Sequence, residues 1–323
     1  MCSRSIAYIS RFGKITFVKA ILLIALAGCS HGGYLPIGKS LESDTGLVHG
    51  ADMPRNILVV AHRSCWRLAP ENSIKSIEEC IRIGVDMIEI DARLTLDGHL
   101  VLMHDETVDR TTNGSGLASE LTLAEITALK LKAGEGGPEA LVTDEHVPTL
   151  EDALSVANGK VLINIDTKGN QEQVRNESIV LVEKLGIADQ ILIKMALTSP
   201  ESYDMKGSSF FGQVSFMPII FERDGNLSTM IKSFSSVDTY GFEIIYKTEQ
   251  QLSEACTLLI AGNSRCWVNT FWDSLAPGHS DDVALLDPDA HWGHLINLGV
   301  NMFQTDSPTA LINYLESKGL HQP

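Results

Sequence analysis

The chain has 323 residues, 44% of them hydrophobic, with 25 basic against 41 acidic side chains and a formal net charge of −16. That is ample apolar material for a large core, and α/β barrels reach this length as one domain. So acidic a balance argues against nucleic acid and against an anionic membrane surface as partners, since both need basic patches.

Residues 1–28 stand apart from the rest. They hold Arg4, Arg11, Lys14 and Lys19 without an acid, followed by the apolar run 21–27, which is too short to span a bilayer and has the length of a signal-peptide core. The run ends in Leu26-Ala27-Gly28-Cys29-Ser30, which resembles the lipobox of bacterial lipoproteins, where the cysteine is lipidated and becomes the mature N-terminus. The expectation is a leader over 1–28, lipidation at Cys29 and a tether over 29–55, rich in Gly, Ser and Pro and without helical or strand period. The protein would then be an exported bacterial lipoprotein, held to its membrane by acyl chains. Without the leader, 21 basic residues face 41 acidic ones, a formal charge of −20. Cys65, Cys80, Cys256 and Cys266 remain for the folded part, and three pairings of four thiols stay open.

From residue 56 onward, short apolar runs alternate with amphipathic ones. The runs at 57–61, 87–90, 161–165, 190–193, 214–220, 241–245, 266–269 and 300–304 read as buried parallel strands. Helical spacing is found at 74–83, closed by Gly84, and at 174–185, 227–234, 252–261, 290–298 and 308–318. Eight strands, each followed by a helix, make a (β/α)8 TIM barrel over 56–323. The long stretch 99–159 reads as a small insertion between the second and third strands. A doubly wound open sheet is the competing architecture, but no glycine-rich phosphate loop follows the first strand.

In a barrel the active residues sit at the C-terminal ends of the strands. His62-Arg63 follows the first run, Glu89 and Asp91 end the second, and Asp166 and Lys168 end the third. Side chains two apart on a strand share a face, so these groups converge at one mouth. Three carboxylates make a hard-oxygen site suited to one divalent cation, Mg²⁺ or Ca²⁺. His62 and His104 can serve as general base and general acid, and Arg63 and Lys168 supply charge for a phosphate-like anion.

The strings Ala61-His62-Arg63-Ser64, Pro70-Glu71-Asn72-Ser73, Glu89-Ile90-Asp91-Ala92-Arg93 and His104-Asp105-Glu106-Thr107-Val108-Asp109-Arg110 resemble the glycerophosphodiester phosphodiesterase family. Asn164-Ile165-Asp166-Thr167-Lys168 and Gln304-Thr305-Asp306-Ser307-Pro308 continue the resemblance in order. It implies a TIM barrel with an insertion after the second strand, metal binding by Glu89, Asp91 and Asp166, acid and base work by His104 and His62, and phosphate contacts from Arg63 and Lys168. It also implies a small phosphodiester as substrate, with glycerol 3-phosphate as a product; nothing in the sequence points to a protein partner. Three residues depart from the family pattern, which usually has Gly where Ser64 stands, Thr where Ser73 stands and keeps the hydroxyl, and Glu where Asp166 stands. Two alternatives remain beside hydrolysis of glycerophosphodiesters: a phospholipase-type enzyme acting on intact lipid, and a catalytically silent binding lipoprotein of the same fold. Asp109, Arg110 and Asn113 read as supports of the insertion's start. Glu243, Trp267, Asn269, Phe271 and Trp272 stand open between pocket lining and core.

Overall fold

Alternation along each strand decides which residues the barrel encloses. In the computed structural model, which describes residues 56–204, 208 and 210–321 together with Leu47, the chain runs β1 (Leu58–Ala61), α1 (Ile74–Ile83), β2 (Met87–Leu94), β3 (Leu100–Leu102), α2 (Leu123–Thr127), β4 (Lys130–Lys132), β5 (Val142–His146), α3 (Leu150–Ala157), β6 (Leu162–Thr167) and α4 (Gln171–Leu185). It continues with β7 (Ile191–Ala196), β8 (Ser215–Phe221), α5 (Leu227–Ser233), β9 (Gly241–Ile245), α6 (Glu249–Ala261), β10 (Arg265–Asn269), α7 (Asp281–Ala284), α8 (His294–Asn297), β11 (Met302–Thr305) and α9 (Pro308–Ser317). The expected leader and the cysteine expected to be lipidated, Cys29, with most of the expected tether, lie outside the described residues.

Eight strands pair in the parallel order β1-β11-β10-β9-β8-β7-β6-β2, and β2 returns to β1 through Val60 opposite Met87. This is a closed TIM barrel. Outside it, β3 adds to β2 antiparallel and β4 and β5 form a separate two-stranded sheet. No helix among the described residues is long and apolar enough to cross a membrane.

Period-two alternation gives every strand an inner and an outer face. Leu58, Val60, Met87, Leu192, Met217, Trp267 and Met302 cluster together, whereas Val59, Ala61, Ile88, Ile90, Ile163, Ile165, Val268 and Phe303 belong to the larger cluster shared with the helices. The inner positions are apolar at the start of the strands and polar at their ends: Met87 is followed by Glu89 and Asp91, Leu192 by Lys194, Trp267 by Asn269 and Met302 by Gln304. The sequence therefore builds an apolar floor and a polar mouth in the same barrel.

Helix α1 shows how locally its ends are encoded. Ser73 caps it by accepting from the Ser76 amide at 3.0 Å, and Ser76 Oγ returns to the Ser73 amide; the hydroxyl is what this position needs. Gly84 ends the helix at φ 80°, a left-handed conformation that glycine adopts without steric cost. A helix was expected after every strand, but between β7 and β8 the described residues form only one 3₁₀ turn, Pro200–Ser202. The intervening Leu197-Thr198-Ser199-Pro200 lacks apolar residues at helical spacing. The helix expected at 290–298 is split into a wide turn, Asp289–Gly293, and α8.

Of the three pairings left open, one is realised. Cys65–Cys80 joins the loop after β1 to α1, and Cys256–Cys266 joins α6 to β10, with Cα–Cα separations of 5.4 and 5.3 Å.

Candidate active site

Strand register brings the acids together. Asp91 on β2 lies directly beside Asp166 on β6, and Glu89 lies two residues earlier on the inner face. One carboxylate oxygen from each of Glu89, Asp91 and Asp166 lies within 4.8 Å of the others. Lys168 Nζ stands 3.0 Å from Asp91 Oδ1 and 2.7 Å from Asp166 Oδ2. Asn72 grips Asp91 from behind, donating through Nδ2 to Oδ2 at 2.7 Å and accepting the Asp91 amide at 3.0 Å. Burial and the neighbouring Asp91 push the Glu89 carboxyl up to about 7. Burial acts in the same sense on Asp91, but Lys168, Arg63 and the hydrogen bond from Asn72 oppose it and hold this group at about 2. Three oxygen donors that converge from two strands fit a hard divalent ion.

His62 ends β1. Its Nδ1 is 2.8 Å from Asp306 Oδ1, and its ring stacks on Phe271 with centroids 3.9 Å apart and planes 9° apart. A carboxylate can only accept, so Nδ1 carries the proton and Nε2 is the nitrogen left with a lone pair. Asp306 is itself fixed: Trp66 Nε1 donates to Oδ1 at 2.8 Å, and the Asp306 amide donates to Asp281 at 2.7 Å.

His104 is held in the same way. Nδ1 lies 2.7 Å from Asp105 Oδ1, and Arg110 forks onto Asp105 at 2.6 and 3.0 Å. The other side of the Arg110 guanidinium takes both oxygens of buried Glu71 at 2.8 Å, and Glu71 also accepts from Arg63 Nη1 at 3.1 Å. Arg63 Nη2 reaches His104 Nε2 at 3.1 Å. A guanidinium has only donors, so in this contact His104 Nε2 is the acceptor. Both histidines thus present Nε2 on the working side with a carboxylate behind Nδ1.

The loop that carries Arg63 is bent sharply. Arg63 and Ser64 both have left-handed backbones, at φ 49° and 63°, and the Arg63 amide is spent on Glu89 Oε2 at 2.8 Å while the Ser64 amide reaches the Glu89 carbonyl at 2.9 Å. Ser64 Oγ is buried without a partner among the described residues. The family's usual glycine at this position has a physical reason here. Ser64→Gly should stabilise the protein by about 1 kcal/mol, because a left-handed non-glycine residue costs roughly 1–2 kcal/mol and the orphaned hydroxyl goes with it. A rise in the denaturant midpoint at unchanged slope would show it, and a fall would contradict the strain argument.

All seven side chains expected at the mouth, from His62 and Arg63 to Asp166 and Lys168, line one cavity of about 180 Å³. The open cases divide. Glu243, Asn269, Phe271 and Trp272 line the cavity, whereas Trp267 is a fully buried part of the floor. Lys194 and Gln304 line it too; Gln304 stood in a quoted motif without a role, and Lys194 lies two residues after Leu192 on the same strand. Lys194 pairs with Glu243 at 2.7 Å and Glu243 accepts from Asn269 at 2.7 Å. Asp306, Asp105 and Glu71 were present in the quoted motifs without a role. Arg110 braces His104 as well as the segment it begins, while Asn113 accepts the Lys130 amide and Asp109 the Gly116 amide.

Residues 62–208 match the sequence model of the Glycerophosphoryl diester phosphodiesterase family, and residues 216–315 match a second model described as a domain of unknown function. The chain is 46% identical over 112 residues to the Glycerophosphodiester phosphodiesterase of Caldanaerobacter subterraneus subsp. tengcongensis, covering 34% of this chain and 45% of that protein. It is 34% identical over 153 residues to Glycerophosphodiester phosphodiesterase 1 of Homo sapiens, covering 47% and 42%. The chain spans about half the length of the curated relatives it matches. In fold, it is similar to a Glycerophosphoryl diester phosphodiesterase from Parabacteroides distasonis, with TM-score 0.68, 22% identity and coverage of 86% of this chain and 90% of that one. It is also similar to a phosphodiesterase from Oleispira antarctica solved in complex with the product sn-glycerol-3-phosphate, with TM-score 0.58, 21% identity and coverage of 81% and 97%. Residues 62–208 thus match the Glycerophosphoryl diester phosphodiesterase family in sequence, within a TIM barrel like those of these solved structures.

Proposed function

We propose that this protein is a metal-dependent phosphodiesterase that hydrolyses glycerophosphodiesters to an alcohol and glycerol 3-phosphate. The observation that carries the reading is the pair of imidazoles, each backed at Nδ1 by a carboxylate, facing three converging acids and two cations in one cavity. The names of the matched relatives support the same substrate class.

Glu89, Asp91 and Asp166 would hold one divalent cation, Mg²⁺ or Ca²⁺. Such an ion supplies polarisation of the phosphoryl oxygens and neutralises their charge. Arg63 and Lys168 orient the diester by its anionic oxygens, and a phosphate oxygen at Arg63 competes for the N–H that now reaches His104. His62 Nε2 removes the proton from the attacking oxygen, with Asp306 stabilising the imidazolium. His104, once protonated at Nε2, delivers its proton to the departing alcohol as the P–O bond breaks. Asp166 is shorter than the family's usual Glu, and its pairing with Lys168 holds it at the mouth.

The leader, the lipidation at Cys29 and export belong to the same reading. Two disulfides support an oxidising compartment.

The test is turnover of glycerophosphocholine and of bis(p-nitrophenyl) phosphate by the protein with EDTA, with Mg²⁺ and with Ca²⁺, beside His62→Ala. Cation binding without turnover of either diester, in the wild type, would sink the hydrolase reading and favour the binding lipoprotein.

The raised Glu89 gives the cation a pH signature. Below about pH 7 Glu89 is protonated in the cation-free protein, so binding must release a proton and affinity must weaken as pH falls through 7. The stability sign is the reverse of the usual acid: a carboxyl raised above its unfolded value favours folding at low pH and loses that contribution as pH rises through 7. The EDTA-treated protein should melt at a lower temperature at pH 8 than at pH 5.5, with Mg²⁺ or Ca²⁺ removing much of the difference. Equal melting temperatures at the two pH values in EDTA would mean that Glu89 is not perturbed.

A further inference from the structure

Three of the chain's ten histidines gather at a second place, away from the acids. Glu249 is the first residue of α6, His279 lies in the loop after β10, and His294 opens α8. His279 Nε2 stands 3.0 Å from Glu249 Oε1 and His294 Nε2 2.9 Å from Oε2, and one ligand atom from each of the three residues lies within 4.8 Å of the others. The two rings stack with centroids 4.9 Å apart and planes 25° apart. Behind them, His279 Nδ1 is 3.2 Å from His291 Nδ1.

We propose that Glu249, His279 and His294 form a second metal site, for Zn²⁺ or a transition ion of similar softness. Two imidazoles and one carboxylate are a donor set such ions take, whereas Mg²⁺ and Ca²⁺ prefer oxygen alone. The set has no thiolate, and three protein ligands leave a fourth position for water. Bonds of about 2.0–2.1 Å in a tetrahedron put ligand atoms roughly 3.3 Å apart. The two present contacts fall on different oxygens of Glu249, and the three ligand atoms, all within 4.8 Å of one another, would draw in toward that spacing around an ion. With Nε2 given to the ion, His279 keeps its proton on Nδ1, where His291 is placed to accept it; such a partner fixes the tautomer and the ring plane. The side chains are reachable, with 12% of His279, 38% of His294 and 48% of Glu249 exposed.

The site has a consequence for the mouth. The loop that carries His279 also carries, just after Thr270, Phe271, the ring stacked on His62, and Trp272. An ion shared with α6 and α8 would fasten the far end of that loop.

The test is titration of the chelator-stripped full chain with ZnCl₂ alone, followed by calorimetry and by the thermal midpoint. The same is done for His294→Ala and Glu249→Gln, whose side chains are exposed enough to replace without loss of fold, and for Asp166→Asn. The expected result is one equivalent of Zn²⁺ that survives Asp166→Asn, is weakened at least 30-fold by His294→Ala and Glu249→Gln, and raises Tm by several degrees only where both residues are intact. Co²⁺ in the same protein should give visible bands of nitrogen and oxygen coordination that His294→Ala abolishes. Zn²⁺ binding that vanishes with Asp166→Asn and is unchanged in His294→Ala would assign all of it to the acids and overturn the proposal. So would the absence of binding at 100-fold excess.

Discussion

His62→Ala is expected to lower kcat for a glycerophosphodiester by roughly 100- to 10,000-fold, the range in which a positioned general base contributes. The more telling variant is Asp306→Asn. It keeps the ring, the stack on Phe271 and the shape of the cavity, and removes only the negative charge that fixes the tautomer and stabilises the imidazolium. Most of the loss should therefore reappear in Asp306→Asn, with KM little changed. The double variant should be scarcely worse than His62→Ala, because residues that act as a unit are not additive. Thermal melts of all three keep folding defects apart from catalytic ones. Full activity in Asp306→Asn would show that the 2.8 Å contact is structural only.

Arg63→Met should be the most destabilising single change at the mouth. The guanidinium is buried, and Glu71, Asp91 and Glu89 surround it; burial works to lower its pKa, but these three acids prevail and raise it. Removing one member of a buried charge network leaves the rest uncompensated, at a cost of about 3–5 kcal/mol. Arg110 still serves Glu71 and Lys168 still serves Asp91, which places the expected loss near the lower figure. For a chain of this size that corresponds to a fall in Tm on the order of 6–12 °C. Arg63→Lys keeps the charge but not the fork that spans Glu71 and His104, so stability should return in part while turnover does not. An Arg63→Met protein melting within 2 °C of the wild type would refute the network account.

What could be read from the sequence follows from range. Met87, Glu89 and Asp91 share a face because strands alternate, and that local rule sufficed to gather three acids and to place Lys168 beside them. The barrel itself followed from eight repeated runs. His62 with Asp306 is different: 244 positions separate them, and their contact exists only because β11 pairs with β1. Arg110 could not be assigned to His104 for a similar reason, since the brace runs through Asp105 on one side and through Glu71, 39 positions earlier, on the other. The helix expected between β7 and β8, where the described residues form only a 3₁₀ turn, is the opposite case: a general expectation about barrels prevailed over a local sequence that carried no helical pattern.

Barrel closure also sets the point in synthesis at which the candidate site can form. A chain released from the ribosome as far as residue 300 already contains both histidines, the three acids, Arg63 and Lys168. Its sheet is still open between β1 and β10, each showing an unpaired edge, which is the state most exposed to wrong association. His62 has no carboxylate until Met302–Thr305 fills the gap and brings Asp306 behind it. Under the proposed mechanism the base and its carboxylate therefore meet only as β11 closes the sheet, and the site is completed by the same step that completes the barrel.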